Sequence, residues 1–175
     1  MNRKISGPFT KEKLADLKAG DAVLLSGIVY TARDAAHKRM TEEANAGQPF
    51  PFDLTDAAIY YVGPSPAAPG QVIGSAGPTS SYRMDPYTPQ ILDGGVSVLI
   101  GKGPRGPEVI DAIKRNGAVY FAAVGGAGAL ISQCIKSSEV IAYEEYGTEA
   151  VRKLEIEDMP VIVAIDSAGN SVYER

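Results

Sequence analysis

Three basic residues in this sequence follow predicted strands or loops of small residues, where a side-chain cation can meet a small anion. Arg33 lies just beyond an apolar run, Arg83 follows a loop of small residues, and Lys102 lies in a glycine-rich turn. Guanidinium groups pair bidentately with carboxylates, whereas a lysine ammonium acts as a point charge. These residue types therefore suit a dicarboxylate. The alternative, which composition alone favours, is that all three are solvated surface cations paired with acids such as Asp34 and Asp85.

The glycine-rich turn at residues 101–106 reads G-x-G-x-x-G between a predicted strand and a predicted helix. A dinucleotide site of this kind also needs an acid about 20 residues further on, but the strand at 119–124 runs into two glycines. Pro104 removes a backbone N–H where donors should converge on a pyrophosphate. A P-loop is excluded because glycine, not Ser or Thr, follows Lys102. With these two sites excluded, the turn and its lysine predict at most a binding place for a small anion.

The chain has one histidine and one cysteine. His37 lies one helical turn after Arg33, and we interpret it as a helix-surface or packing residue. Cys134 lies on the apolar side of a predicted helix, as a small buried hydrophobe would. One cysteine forms no internal disulfide, and together with one histidine it builds no zinc site. We therefore expect no metal ligands in this chain.

The elements that must position the cations alternate between apolar strands and helices. The predicted strands cover residues 21–30, 57–62, 96–100 and 118–124. The predicted helices cover a short segment from Thr10 to Leu17, residues 31–46 with Thr31 as N-cap, and residues 107–116 ending at Gly117. Residues 64–78 hold four prolines and three glycines, which predicts a loop.

The carboxyl-terminal part predicts a helix near 127–135, a strand at 140–143, a short helix at 148–153 and a terminal hairpin. In that hairpin residues 160–166 pair with residues 171–174. The class is therefore α/β, with a mixed sheet flanked by helices. A chain of 175 residues supports one good core, so we expect one domain over residues 1–175.

Charge and hydropathy exclude several classes of partner. Lys and Arg number 17 against 21 Asp and Glu, and no run of five like charges occurs. Nucleic acid and anionic membranes are therefore not expected as partners. No apolar stretch approaches the roughly 18 residues of a membrane span, and no apolar segment follows the basic residues at the start. We expect a cytoplasmic protein.

Six segments, in order and covering nearly the whole chain, resemble the β subunit of class I fumarate hydratase. They are VLLSGIVYTARDAAHKRM (23–40), IYYVGP (59–64), GSAGPTSSYRMDPYTP (74–89), IGKGPRGP (100–107), AVGGAGALIS (123–132) and DMPVIVAIDSAGNSVY (158–173). The related β subunit of L-tartrate dehydratase shares GPT but typically departs from TARDAAHKR and RMDPYTP. Both motifs are kept here, which favours fumarase. The resemblance implies a single swivelling β/α domain.

The resemblance also implies a site shared between two protein domains, one of which carries a [4Fe-4S] cluster. A cubane with an open iron needs three thiolates, so the cluster must come from a cysteine-bearing α subunit in an αβ heteromer or its dimer. The implied reaction is reversible hydration of fumarate to S-malate, with the open iron as Lewis acid. The implied substrate-binding residues are Arg33, Arg83 and Lys102, and the implied base at C3 is Thr79.

Thr79 can act as the implied base only if a neighbouring group activates its hydroxyl. An unassisted hydroxyl is a poor base and needs an activating group. The alternative is that Thr79 caps or hydrogen-bonds a turn. For the whole chain, two other functions stay open: the β subunit of L-tartrate dehydratase, and a non-catalytic anion-binding or scaffold protein with the same fold.

Overall fold

A β-sheet flanked by helices forms the framework of the computed structural model, which describes residues 3–123 and 131–173. The seven strands of this described part are Arg3–Ser6 (β1), Ala22–Thr31 (β2), Ala58–Tyr60 (β3), Val98–Gly101 (β4), Val119–Ala123 (β5), Ile135–Ala142 (β6) and Val151–Ile165 (β7). Its α-helices are Lys11–Leu14 (α1), Asp34–Asn45 (α2), Thr88–Asp93 (α3) and Pro107–Asn116 (α4), and its 3₁₀ helices are Ser81–Met84 (η1) and Glu144–Glu149 (η2). None of the helices in these two ranges has the length and apolar character to cross a membrane.

The long strand β7 determines the topology of the sheet. Strands β1 to β5 pair in parallel with one another, whereas β7 runs antiparallel to β2, β5 and β6. One edge of β7 pairs with β2, and the other pairs first with β6 and then with β5. Across residues 3–123 and 131–173, the pairings from β2 through β3, β4, β5 and β7 back to β2 thus close a ring of five strands. The predicted α/β class with a mixed sheet is confirmed.

Alternating side chains of the ring strands form two buried hydrophobic clusters. One cluster takes residues from all five ring strands, among them Leu25, Tyr60, Ile100, Phe121 and Val163, and fills the inside of the ring. The other takes alternate positions of the same strands and packs against α2, α3 and α4 on the outside. Burial on both faces explains why the parallel strands are nearly continuous apolar runs in the sequence.

Several predicted elements agree with the structure. The predicted helix at 107–116 is α4, which begins at Pro107 and ends before Gly117, a residue in the left-handed conformation with φ of 65°. The four apolar runs predicted as strands correspond to β2, β3, β4 and β5. Residues 64–78 contain neither helix nor strand, as predicted for a loop. Helix α1 ends at Leu14, three residues before the predicted end at Leu17.

The prediction that Thr31 caps the second helix is wrong. Thr31 is the last residue of β2, and α2 begins at Asp34 after Arg33. The Thr31 hydroxyl donates a hydrogen bond to the Ala150 carbonyl at 3.3 Å and accepts one from the Arg152 N–H at 3.0 Å. The side chain that could have capped a helix therefore ties β2 to the start of β7, a contact between residues far apart in the sequence.

The carboxyl-terminal predictions need correction because β7 is much longer than the sequence suggested. The predicted short helix at 148–153 is wrong, since η2 occupies Glu144–Glu149 and β7 begins at Val151. The predicted strand at 140–143 is the end of the longer strand β6. Residues of β7 alternate largely between buried and more exposed positions. The strand conformation of this segment depends on its pairing with strands that are distant in the sequence.

Two further predictions lie near this strand. Residues 127–130 of the predicted helix at 127–135 lie outside the described residues. Residues 131 and 132 are helical, whereas Ile135 is the first residue of β6. The predicted terminal hairpin has no second strand. The chain turns back after β7 and forms one antiparallel bridge, between Ile165 and Ser171, and the Val172 N–H donates to the Ala164 carbonyl at 2.9 Å. The main partners of β7 are therefore β2, β5 and β6.

Candidate active site

The sequence-predicted cations lie around one end of the ring. Arg33 follows β2 and Lys102 follows β4, and because these strands are parallel, both residues leave the sheet at its carboxyl-terminal edge. Gly63 follows β3 at the same edge. The start of β7 also lies here, since Lys153 pairs with Tyr30 at the end of β2. Ligands of parallel sheets commonly bind at this edge.

Arg33 lies against the backbone of Gly63. A Cβ atom added to Gly63 would lie 2.8 Å from Cδ and 2.9 Å from Nη1 of Arg33, and 3.0 Å from the Thr148 carbonyl oxygen. A residue with any side chain would push the Arg33 side chain out of this position. The Arg33 Nε atom is buried and has no hydrogen-bond partner among the described residues. The guanidinium is therefore positioned by contact, and its Nε donor is not used by any described residue.

Thr79 is held beside the end of β3. Its backbone N–H donates to the Tyr61 carbonyl at 2.8 Å, and the next residue, Ser80, forms a parallel bridge with Lys102. Thr79 itself is partly buried. Within residues 3–123 and 131–173, its hydroxyl donates to no group and caps no turn. The backbone of Thr79 is thus fixed while its hydroxyl stays available.

Lys102 has a fixed backbone and an exposed side chain. Its N–H donates to Ser81 Oγ at 3.0 Å, and its carbonyl accepts from the Ser81 N–H at 2.9 Å. Lys102 lines an open polar cleft of about 410 Å³, which is also lined by Gly63, Ser65, Ser75, Gly77, Pro78 and Ala123. A volume of this size accommodates a small dicarboxylate.

Arg83 lies beside the start of helix α2, next to Arg33 in the chain's fold. Its Nε lies 2.8 Å from Asp34 Oδ2 in an ion pair, and Asp34 is the first residue of α2, directly after Arg33. The pairing of Arg83 with Asp34 agrees with the alternative in which the cations are paired with nearby acids. The second acid of that alternative, Asp85, pairs instead with Arg105, at 2.7 Å. Both Arg83 and Asp34 remain partly exposed, so the guanidinium is still accessible to an anion.

His37 is a packing residue, one of its two expected roles. It is fully buried, and its Nδ1 lies 2.9 Å from the Arg33 carbonyl. Because a carbonyl only accepts, Nδ1 carries the proton of the neutral ring. Burial lowers the pKa of His37 to about 4, with the Arg105 guanidinium adding to the effect. His37 is therefore neutral near pH 7 and supports the Arg33 backbone.

Two residues near the site escaped the sequence analysis. Gly63 lies between the strand predicted at 57–62 and the loop predicted at 64–78, and nothing in its residue type indicated the close approach of Arg33. Arg105 was treated as part of a glycine-rich turn, yet its side chain is fully buried. The one signal in the sequence for Arg105 is its place between an apolar strand and a helix, β4 and α4. Spacing alone does not tell whether such a side chain faces solvent or the interior.

The residues described by the structure do not form a metal-binding cluster. No group of three His, Cys, Asp or Glu side chains within residues 3–123 and 131–173 is arranged to hold a metal ion. Cys134, the one cysteine of the chain, is partly buried, and desolvation raises the pKa of its thiol. The chemistry available is that of cations and hydroxyls able to hold a small dianion.

The sequence of this chain is similar to one family of known proteins. The family model for the fumarase C-terminus matches residues 2–175. The chain is 37% identical to "Fumarate hydratase class I, aerobic" of Escherichia coli (strain K12), over 94% of this chain and 31% of that protein. It is 36% identical to "Fumarate hydratase 2" of Leishmania major, over 94% of this chain and 29% of that protein. The chain therefore spans about a third of the length of these relatives.

A further relative has nearly the same length as this chain. The "Putative L(+)-tartrate dehydratase subunit beta" of Methanocaldococcus jannaschii is 39% identical over 95% of this chain and 89% of that protein. The matched segment thus occurs both within longer proteins and in a protein whose name describes a subunit.

Proposed function

Because the chain belongs to the fumarase C-terminus family, we propose that it is the β subunit of a class I fumarate hydratase, which adds water reversibly to fumarate to give S-malate. The observation that carries this proposal is the attachment of Arg33, Thr79 and Lys102 to the ends of three neighbouring strands. Residues so attached keep their relative positions because the sheet is rigid. A preorganised site of this kind stabilises charge without reorganisation during the reaction.

The cations would hold the two carboxylates of the substrate. Arg33 offers a planar fork whose Nε has no partner among the described residues, and Lys102 offers a point charge in the cleft. Arg83 carries a guanidinium that Asp34 already orients. Removal of a proton from C3 of malate transfers negative charge to the adjacent carboxylate. Cations that already contact this carboxylate then stabilise the transition state more than the bound substrate.

We assign the C3 proton transfer to Thr79. Its hydroxyl is free of other hydrogen bonds in the described residues, and its backbone is anchored to Tyr61. A hydroxyl accepts a carbon-bound proton only if another base takes its own proton. Within residues 3–123 and 131–173, no carboxylate is hydrogen-bonded to Thr79. The activating base is therefore proposed to belong to the partner subunit.

The iron–sulfur cluster is also proposed to belong to the partner, a cysteine-bearing α subunit. A cubane needs at least three thiolates, whereas this chain has Cys134 alone. The residues of this chain do not fit the cluster, so their proposed share is binding of the carboxylates and movement of the C3 proton. The partner and this chain would form an αβ heteromer or a dimer of it.

A second candidate is the β subunit of an L-tartrate dehydratase. The observation favouring it is the relative from Methanocaldococcus jannaschii, which has a similar length and 39% identity. Tartrate carries two carboxylates, as malate does, so the same three cations could bind it. The two functions differ in the substrate that turns over, and only kinetics separates them.

The test is anaerobic co-expression of this chain with a cysteine-bearing α chain, followed by cluster reconstitution. We expect hydration of fumarate by the pair and by neither chain alone, with kcat/KM for malate at least tenfold above that for L-tartrate. A reversed preference would support the tartrate dehydratase instead. Turnover of neither fumarate, malate nor L-tartrate by the pair would refute both candidates, and iron bound stoichiometrically to this chain alone would refute the assignment of the cluster to a partner.

A further inference from the structure

Arg105 carries a charge in the interior of the protein that the proposed reaction does not use. Its side chain is fully buried, and that of its partner Asp85 is 14% exposed. Arg105 Nε donates to Asp85 Oδ1 at 2.7 Å. Removing an ion pair from water carries a large desolvation penalty, and hydrophobic residues of similar volume often replace such pairs without loss of stability. Stability alone is therefore a weak reason for this pair.

The Arg105 guanidinium contacts three further elements. Its Nη2 donates to Tyr61 Oη at 3.2 Å and to Thr88 Oγ1 at 3.0 Å. It also lies over the rings of Tyr61 and Tyr120, at 5.2 and 4.8 Å from the ring centroids. Tyr61 directly follows β3, Thr88 is the first residue of α3, and Tyr120 lies in β5. Nε and Nη2 together reach these partners through the planar fork of a guanidinium, which an ammonium lacks, while Nη1 is buried with no partner among the described residues.

Two of these contacts lead directly to residues of the candidate active site. The Tyr61 carbonyl accepts the N–H of Thr79 at 2.8 Å. Asp85 follows the helix η1 that carries Arg83, and its Oδ2 accepts the Gly106 N–H at 2.7 Å. Asp85 therefore joins η1 to the end of the glycine-rich turn, and Arg105 holds Asp85 in place.

A hydrogen-bonded chain through Ser81 joins the same two segments again. The Lys102 N–H donates to Ser81 Oγ at 3.0 Å, and Ser81 Oγ lies 2.7 Å from Tyr120 Oη. Tyr120 Oη lies 2.8 Å from the Gly103 carbonyl, which can only accept. Tyr120 Oη is the donor toward both Ser81 Oγ and this carbonyl, so its one proton is shared between them. Arg105 lies over the ring of this tyrosine.

We propose that Arg105, through its pair with Asp85, is a positioning residue of the active site. It holds the turn that bears Lys102 and the helix η1 that bears Arg83 in one arrangement. This inference rests on the proposed function for its catalytic meaning, since only a dicarboxylate site requires those two cations at a fixed separation. The positions of the backbone that it controls can be measured without any substrate.

The first test is amide hydrogen exchange of the full chain, measured by NMR in a double variant, Arg105→Met with Asp85→Asn. This variant removes both charges together, and the new asparagine can still accept the Gly106 N–H. We expect the Ser81 and Lys102 amides to exchange at least tenfold faster, while amides in the middle of α4 and the thermal midpoint stay unchanged. Unchanged exchange at the two amides, or equal acceleration throughout the chain, would overturn the proposal.

A matched control is the exposed pair Arg115–Asp93, which joins α4 to α3 nearby. Its side chains are 53% and 50% exposed, and Arg115 Nη2 contacts Asp93 Oδ1 at 2.9 Å. The double variant Arg115→Met with Asp93→Asn should leave the Ser81 and Lys102 amides at their wild-type rates. Acceleration in the control equal to that in the buried variant would also overturn the proposal.

The second test is steady-state kinetics of the complex with the α subunit. We expect the Arg105→Met, Asp85→Asn variant to raise KM for malate at least tenfold and lower kcat/KM about 100-fold, as displacement of binding groups by about 1 Å does. A purely structural role would reduce the amount of active complex and leave KM unchanged, which would overturn the proposal. Absence of hydratase activity in the wild-type complex would refute the proposed function, and the exchange result would still decide the inference.

Discussion

Replacement of Gly63 by alanine should impair catalysis through Arg33 while leaving the fold intact. The new Cβ would lie 2.8 Å from Arg33 Cδ and 2.9 Å from Nη1. Carbon atoms in contact lie about 3.5–4.0 Å apart, so the Arg33 side chain must move by about 1 Å. Arg33 is a long side chain at the edge of the sheet and can move without disturbing the core. The perturbation therefore acts on the position of the guanidinium.

The magnitude follows from the geometry of the displacement. A misplacement of about 1 Å in a positioned group lowers a rate by up to about 100-fold. We therefore expect kcat/KM of the Gly63→Ala complex to fall about 10- to 100-fold, equivalent to about 1–3 kcal/mol of transition-state stabilisation. The Thr148 carbonyl at 3.0 Å from the new Cβ adds local strain, but the thermal midpoint should fall by only a few degrees.

The assay is steady-state hydration of fumarate by the αβ complex, combined with a double-mutant cycle. If Gly63→Ala acts through Arg33, adding it to Arg33→Ala should have no further effect on kcat/KM. Gly7→Ala is the control, because a Cβ there lies no closer than 3.5 Å to any neighbour. Wild-type kcat/KM in Gly63→Ala, or additive losses in the double variant, would refute the reasoning.

Three other predictions concern the site and its support. Arg33→Lys and Arg83→Lys should each lower kcat/KM by about 2–4 kcal/mol, because a bidentate fork becomes a point donor; near wild-type kinetics in both would make them ordinary surface cations. Thr79→Val should lower kcat and deuterium incorporation at C3 of malate far more than it weakens malate binding, and equal exchange rates would move the base to the partner. Burial lowers the pKa of His37 to about 4, so the unfolded chain takes up this proton first and about 3 kcal/mol of stability is lost as pH falls from about 6.5 to 4. Urea titrations across that range should show the loss in wild type and a smaller one in His37→Asn, and equal pH slopes would contradict it.

The sequence was informative about the site where chemistry depends on residue type and local position. Arginines and a lysine after apolar runs predicted an anion site, and the parallel order of β2, β3 and β4 brings Arg33 and Lys102 to one edge. Arg83 could also be chosen from its loop. For the acid that pairs with the cations, the sequence offered both Asp34 and Asp85. Only the three-dimensional contacts show that Arg83 pairs with Asp34 and that Asp85 pairs with Arg105.

The sequence by itself determined the class of the fold. Apolar runs, helical periodicity and glycine or proline at element ends are local signals, and they predicted β2 to β5 and helix α4. These signals failed at Thr31 and at residues 148–153. There the side chain or backbone pairs with a distant strand, and such pairing overrides a local preference.

Only the tertiary structure decided the closure of the ring by β7 and the burial of Arg105. Both depend on which residues meet across long sequence separations, such as Tyr30 with Lys153 and Arg105 with Tyr61. A residue's type and its neighbours in sequence set its intrinsic conformational preference and its charge. Whether that charge is solvated, or buried and paired so that it positions other groups, is set by the elements that fold over it.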